Sequence, residues 1–377
     1  LAGFDSRGGD EFDFSELFQS LRRISYLNLS NVSIKFVTNQ DATFDLINGK
    51  AAIQNRDDSH FLHIDANLDE SDNLIALSFE VTGDELDEID GRVHLKFPEA
   101  DYSEPFIGQS IGGVNIGEIQ GSGSFWLDIE NGQFSKGVAE IQLNSFSLAG
   151  LGREAITFGE ISGTSSFIFD NPNNEWDLSF SDMSLHWGNH LLQPFNVKAS
   201  YVPSESLSLR ADQIDLSLIS QFLSESELLS ESDGETLLGY GLSGKLENFN
   251  LSVPLQDRID NQFFLQSNIA NIKIDSFRGS PAMAGLNGYV EASFDEASLV
   301  SVGFAEIESQ GFSINLPNIF SNTWDYDRVN GRLNFQLDLN DGTKLDLASS
   351  VIFVESEAID GQVIFSLKVH REAGAER

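Results

Sequence analysis

At least eight times along its 377 residues, this chain places an aliphatic residue, a spacer and a glycine, followed by apolar residues at every second position. The copies are Ile47-Asn48-Gly49, Ile89-Asp90-Gly91, Ile119-Gln120-Gly121, Ile161-Ser162-Gly163, Leu242-Ser243-Gly244, Leu286-Asn287-Gly288, Val329-Asn330-Gly331 and Ile359-Asp360-Gly361. Successive glycines stand 30 or 42–44 residues apart, with one double gap of 81 between Gly163 and Gly244. A recurring period means one structural unit stacked on copies of itself, not a fold condensed around one site. Function is then expected on an extended surface.

The residues after each glycine describe that surface. Even offsets carry Val93, Leu95 and Phe97 after Gly91, and Phe125, Leu127 and Ile129 after Gly121. They carry Phe167 and Phe169 after Gly163, and Val290, Ala292 and Phe294 after Gly288. Leu333, Phe335 and Leu337 follow Gly331, and Val363, Phe365 and Leu367 follow Gly361. Odd offsets are mostly polar, as in Arg92, His94 and Lys96. Alternation with period two marks a strand with one apolar and one wet face. Because the phase relative to glycine is kept, the apolar residues are expected on one side of one sheet. The Gly244 copy changes phase, which predicts a β-bulge near Asn248.

Helical spacing is confined to Phe12–Arg23, Ile214–Leu223 with a continuation toward Leu229, and a weak stretch at Tyr102–Ile111. Three short helices cannot cover about twenty strands, so the apolar face must meet a second sheet, close on itself, or hold something that is not protein. The expected fold is mostly β: an elongated, repetitive antiparallel sheet, curled into a half-open groove with an apolar interior. A lead over 1–11, a single array over 12–370 and a polar tail over 371–377 complete the expected organisation. Units begin near 47, 89, 119, 161, 242, 286, 329 and 359.

Composition narrows the partners. Lys plus Arg number 22 against 59 Asp plus Glu, a net charge of −37. Phosphate contacts need clustered cations, so nucleic acid is excluded as a partner class. Thirty phenylalanines against two methionines supply polar-free wall residues, for a core or for an apolar groove. No cysteine is present, which removes disulfides, thiolate metal sites and thiol catalysis.

Motifs for chemistry are not found. His60/His63 and His186/His190 have metal-like spacings but fall in strand-like segments, which favours packing or solvent-facing roles. Asp338–Gly342 has the wrong spacing for a calcium loop and reads as a hairpin turn, as does Asn171–Asn174. The acidic stretch Ser224–Glu235 reads as a helix end or solvated loop. No nucleophile elbow, phosphate loop or dinucleotide fingerprint occurs, so no catalytic residue, cofactor or metal is expected.

The ordered set of segments resembles the AsmA-like superfamily, and within it the YhdP branch of bacterial envelope proteins of the bridge-like lipid-transfer type. The resemblance is carried by Leu21–Leu29 with Val32–Phe36, Ile89–Leu95, Gly121–Ile129, Leu207–Leu216, Tyr240–Phe249, and Phe312–Phe320 followed by Arg328–Leu333. It implies a periplasmic curled sheet whose apolar groove binds phospholipid acyl chains and moves phospholipid between inner and outer membranes without catalysis. It further implies an inner-membrane anchor helix ahead of the chain and additional units after it that reach the outer membrane or its proteins, so the chain is expected to be a piece of a longer protein. The alternative reading is a structural or adhesive acidic β-solenoid of a secreted protein, or a hydrolase or lectin on a β-sandwich. The two leading readings differ in whether the even-offset residues pack on protein or stay open.

Overall fold

The computed structural model describes residues 14–37, 43–68, 74–103, 110–111, 114–149, 156–170, 173–203, 205–225, 230–255, 262–278, 280–295, 298–317, 322–338, 340 and 342–372. The expected lead 1–11 and residues 373–377 of the expected tail lie outside these. Among the described residues the strands form one large antiparallel sheet that is not closed, accompanied by three short helices. The chain divides into two compact units, residues 1–194 and 195–377.

The first unit holds α1 (Phe14–Arg22), β1 (Tyr26–Val37), β2 (Thr43–Arg56), β3 (Ser59–Leu68), β4 (Leu74–Thr82), β5 (Asp90–Asp101) and β6 (Ser110–Ile111). It continues with β7 (Val114–Glu130), β8 (Gln133–Ala149), β9 (Ile156–Phe158), β10 (Ile161–Asp170) and β11 (Glu175–Trp187). β12 (His190–Val202) crosses the division. The second unit holds β13 (Ser206–Asp215), α2 (Leu216–Glu225), α3 (Glu231–Gly239), β14 (Ser243–Pro254), β15 (Gln262–Ile274), β16 (Ala282–Asp295) and β17 (Val300–Asn315). It ends with β18 (Trp324–Asp338), β19 (Gly342–Ser349), β20 (Ile352–Glu355), β21 (Asp360–Val363) and β22 (Ser366–Glu372).

Pairing is up-and-down. In the first unit β1 pairs β2, β2 pairs β3, β3 pairs β4 and β4 pairs β5, all antiparallel. β5 then pairs β7, β7 pairs β8, β8 pairs β10 and β10 pairs β11. The second unit repeats the pattern from β12 through β18, after which β18 pairs both β19 and β20.

Many of the repeated glycines sit where this ladder slips. In the first unit the register shifts at Ser30–Ile34, Ile47–Lys50, Phe97–Ala100, Gln120–Gly121 and Ser162–Thr164. In the second it shifts at Ser243–Lys245, Glu247–Asn250, Ile269–Ile272 and Ala284–Gly288. The bulge expected near Asn248 is among them, with Asn248 in the left-handed region at φ 51°. A bulge leaves backbone groups unpaired, and serines on the adjoining strand take them up. Ser309, fully buried, accepts from the Asn287 N–H at 2.8 Å and donates to its carbonyl at 3.2 Å. Ser147 accepts from the Glu118 N–H at 2.7 Å; where β18 changes partner from β20 to β19, Ser350, between those two strands, likewise accepts from and donates to the Arg332 backbone.

The helices partly match expectation. α1 lies within Phe12–Arg23, and α2 begins two residues after Ile214. The acidic stretch enters a helix that periodicity did not announce: Ser230 caps α3 by accepting from the Asp233 N–H. At Tyr102–Ile111 the described residues are not helical, and Ser110–Ile111 form β6; the rest of that stretch lies outside the described residues. The run after Gly361 was expected as one strand but is two, because β21 pairs β20 whereas β22 pairs β19. Of the expected turn at Asp338–Gly342, Asp338 ends β18, Asn340 lies in a turn and Gly342 begins β19, its antiparallel partner; Leu339 and Asp341 lie outside the described residues. Only Asn173 and Asn174 of the other expected turn are described, and they lie in the turn between β10 and β11.

Candidate functional site

Directly opposed residues of antiparallel strands share a face, so the register traces each face across a unit. In the first unit the sequence of partners runs Leu27, Ile53, Leu62, Phe79, Val93, Leu127, Gly137, Phe167, Leu178, one residue from each of nine strands. The next rung runs Leu29, Ala51, Ile64, Leu77, Leu95, Phe125, Ala139, Ser165, Phe180. Two adjacent rungs are thus apolar almost without interruption.

The second unit builds the same device. Its partners run Ala199, Leu209, Leu251, Leu265, Ala292, Gly303, Phe335, Leu347, Leu367, again over nine strands. Beside it Phe263 pairs Phe294, Phe294 pairs Ser301, Ser301 pairs Leu337 and Leu337 pairs Leu345.

The opposite faces are wet. In the first unit the register runs Gln54, Phe61, Glu80, Arg92, Asp128, Lys136. Asp128 there receives Arg92 at 3.4 Å and Lys136 at 3.2 Å. In the second unit Glu306 pairs Arg332 across β17 and β18, and Lys368 contacts Asp346 at 2.8 Å.

What distinguishes the apolar rungs from a core is their exposure. Across the four rungs, among the positions whose burial is described, only Ile53 and Gly137 are buried; the rest are half-buried, with Leu29 and Leu367 exposed. Protein-packed clusters lie to either side instead. In the first unit one gathers Val81, Ile89 and Ile129 with Phe18, Leu86 and the adjoining rung residues Phe79 and Val93, and another gathers Leu46, Ala66 and Leu68 with Ile75, Ala100 and Tyr102. In the second unit Phe312, Val329 and Ile352 form the cluster. Tyr102, whose hydroxyl donates to the Pro98 carbonyl, has its pKa raised to about 12 by burial.

The residues singled out from the sequence divide accordingly. Val93, Leu95, Phe125, Leu127 and Phe167 come together on the two first-unit rungs. Phe97 opposes Gly123 one step further along and stacks edge-on with Phe125 at 5.9 Å. Phe169 opposes Trp176 at the strand ends. Ile129 belongs to the packed cluster with Val81 and is buried. In the second unit Phe294, Leu333, Phe335 and Leu337 are half-buried on adjacent rungs, and Leu367 reaches Phe335 through Leu347. Val363 and Phe365 are exposed where the run splits.

Half of each ladder comes from strands not preceded by the glycine pattern, which the glycine copies do not reveal: Leu62, Leu77, Phe79, Leu178, Leu265 and Leu347. Their own alternation, as in Ile75, Leu77, Phe79 and Val81, was the signal that could have found them.

Two of the histidines pack within the sheet. His60 is buried, with Nδ1 at 2.9 Å from the Asn55 side-chain oxygen and Nε2 at 2.9 Å from the Gly83 carbonyl. His94 stacks on Trp126 at 5.1 Å on the wet face. Among the described residues no group of three or more metal-ligating side chains occurs, and no helix is long and apolar enough to cross a membrane.

The family described as YhdP protein matches residues 4–374, nearly the whole chain. No curated protein and no solved structure gives a significant match.

Proposed function

The chain belongs to the YhdP family, and on that premise we propose that the apolar face of each unit holds phospholipid acyl chains while the headgroups stay in water. The family is one of non-enzymatic transport, and membership suggests a lipid-transport-related envelope protein. The finer reading is passive movement of phospholipid across the bacterial periplasm, between inner and outer membranes. In this reading the full-length protein is held at the inner membrane by a preceding helix and meets the outer membrane, or proteins in it, through later units.

One observation carries the reading: rungs that are apolar over nine strands remain for the most part half-exposed, with only Phe79 and Val93 leaning on the neighbouring packed cluster. Nine strands give eight spacings of ~4.8 Å, roughly 38 Å of apolar ladder, against about 15 Å of hydrocarbon per bilayer leaflet. Each methylene taken out of water contributes about 0.8 kcal/mol, so a single acyl chain gains several kcal/mol on such a surface. Movement requires only similar affinity at successive rungs, which a repeat supplies. An adhesive or purely structural solenoid would instead fill this face with protein.

Native mass spectrometry of the purified chain, with extraction of co-purifying lipid, tests the proposal. Phospholipid is expected on the wild-type chain and is expected to be lost on Leu127→Glu and Phe335→Glu with strand content unchanged. A lipid-free chain that both substitutions unfold would show a packed core and end the proposal.

A further inference from the structure

The two apolar ladders share a detail. In the first unit the partners run Leu127, Gly137, Phe167, Leu178 over β7, β8, β10 and β11. In the second they run Ala292, Gly303, Phe335, Leu347 over β16, β17, β18 and β19. Each unit thus sets one glycine in its ladder with a phenylalanine directly beside it. The strands that carry these glycines also read alike, Ser-x-Gly-x-Ala-Glu-Ile at 135–141 on β8 and again at 301–307 on β17. That likeness gains its meaning from the register, which puts a ring next to each glycine.

In both units the ring leans over the glycine. Where a Cβ on Gly137 would stand, the Phe167 Cε1 and Cζ lie only 2.5 and 2.8 Å away. The Phe335 Cζ lies 2.6 Å from the same place on Gly303. Nonbonded carbons keep about 3.5–4.0 Å apart, so neither ring could lie there over a residue with a side chain. The rings lie down across the neighbouring strand instead of standing up from the sheet. Glycine therefore acts through its neighbour, letting the ring cover bare backbone without raising a ridge on the apolar face. Phe167 is half-buried, and the space beyond it is not filled by protein: a cavity of about 630 Å³ borders it together with Phe169, Trp176 and Leu178.

A ridge would matter because hydrocarbon is held by contact alone. A chain lying along the ladder would lose contact on both sides of an upright ring, and successive rungs would no longer hold it equally. We propose that Gly137 and Gly303 are positioning residues, each holding the adjoining ring flat so that an acyl chain crosses β8 and β17 in unbroken contact with the ladder. The proposal rests on the acyl-chain reading above and adds the residues that set the height of the face.

A Cβ on Gly303 would also press on the Glu291 carbonyl oxygen, so the first unit carries the test and the second serves as reference. The delipidated chain is titrated with phosphatidylcholine vesicles and re-isolated by size, and its bound phospholipid is counted. In Gly137→Ala the part of the load held by the first unit is expected to need about four- to fifteenfold more lipid, the worth of one or two methylenes lifted off the face. The second unit's part stays, so the loading curve becomes two-step. Adding Phe167→Leu to that variant removes the raised ring and is expected to restore loading to within about twofold of wild type.

Stability separates this role from the mere covering of backbone. Phe167→Leu alone is expected to lower the urea midpoint and keep the load, whereas Gly137→Ala keeps the midpoint and weakens the load. Unchanged loading in Gly137→Ala, a loss that Phe167→Leu does not restore, or a load that only follows the midpoint overturns the positioning role and leaves the acyl-chain reading standing. A wild-type chain that takes up no phospholipid overturns both. Should Gly137→Ala lose strand content, Phe167→Trp, whose larger ring cannot lie in the same space, must give the two-step curve; a single step there overturns the proposal.

Discussion

Two glycines show how differently the same residue acts along this chain. Gly121 has φ 153°, and a Cβ there would press on the Gln142 carbonyl oxygen and lie 2.6 Å from the Leu143 Cα, both backbone. Gly137 lies on the apolar face between Leu127 and Phe167, where a Cβ would meet only side-chain ends, at 2.8 and 2.5 Å. Backbone cannot yield as side chains do. Gly121→Ala is therefore expected to cost about 1–3 kcal/mol of stability in urea unfolding. Gly137→Ala is expected to leave stability nearly unchanged while lowering lipid load, because Leu127 and Phe167 must move outward. The importance of Gly121 was legible from the repeat. That of Gly137 was not, since no glycine pattern precedes it and only the register places it between two large side chains. The serines at the bulges, Ser309 above all, were equally hidden: their partners stand on neighbouring strands.

Among the elements, α1 owes its place to a few contacts. Phe18 meets the His60 ring edge-on at 5.5 Å and joins the cluster around Val81. The Asn55 amide donates to the Leu21 and Ile24 carbonyls at the end of the helix, and Arg22 pairs with Asp84 at 2.6 Å. The exposed ion pair contributes little, so the ring should dominate. Phe18→Ala is expected to cost about 1–3 kcal/mol, less than a fully buried ring, and to speed hydrogen exchange at residues 14–22 and 79–93 together. Arg22→Ala should change exchange only at 14–22. The helix itself was readable from the spacing of Phe14, Leu17, Phe18 and Leu21. α3 was not, because its apolar residues are few and its Ser230–Asp233 cap is a weak signal alone. The break between β21 and β22 was invisible as well: the alternation runs through it unbroken, and only the separate partners β20 and β19 divide the strand.

On the scale of the whole molecule, charge and edges matter most. A net charge of −37 is a self-repulsion that salt screens, so the melting temperature is expected to rise from 10 mM to 150 mM NaCl and then level off, read by scanning calorimetry. A melting temperature that falls over this range would contradict that account. Among the described residues β22 pairs on one side only, with β19, and Leu367 on it is exposed together with Val363 at the end of β21 and Ile364 and Phe365 between the two strands. Such an edge is a template for pairing with another chain. Val363→Lys is expected to reduce concentration-dependent association in sedimentation velocity without loss of strand content.

The sequence by itself determined that this protein is a repetitive, mostly β chain with one apolar face, because period-two alternation and recurrent glycines are local signals that survive without knowledge of partners. It also carried the family, through the order of its segments. Only the tertiary structure decided which residues share a rung, which apolar positions are sealed in clusters and which stay open. Ile129 and Leu127 alternate identically in sequence, yet one packs with Val81 and the other stands half-exposed beside Gly137. That difference comes from strand register and from Phe18 and Leu86 arriving from distant parts of the chain, which the local pattern does not contain.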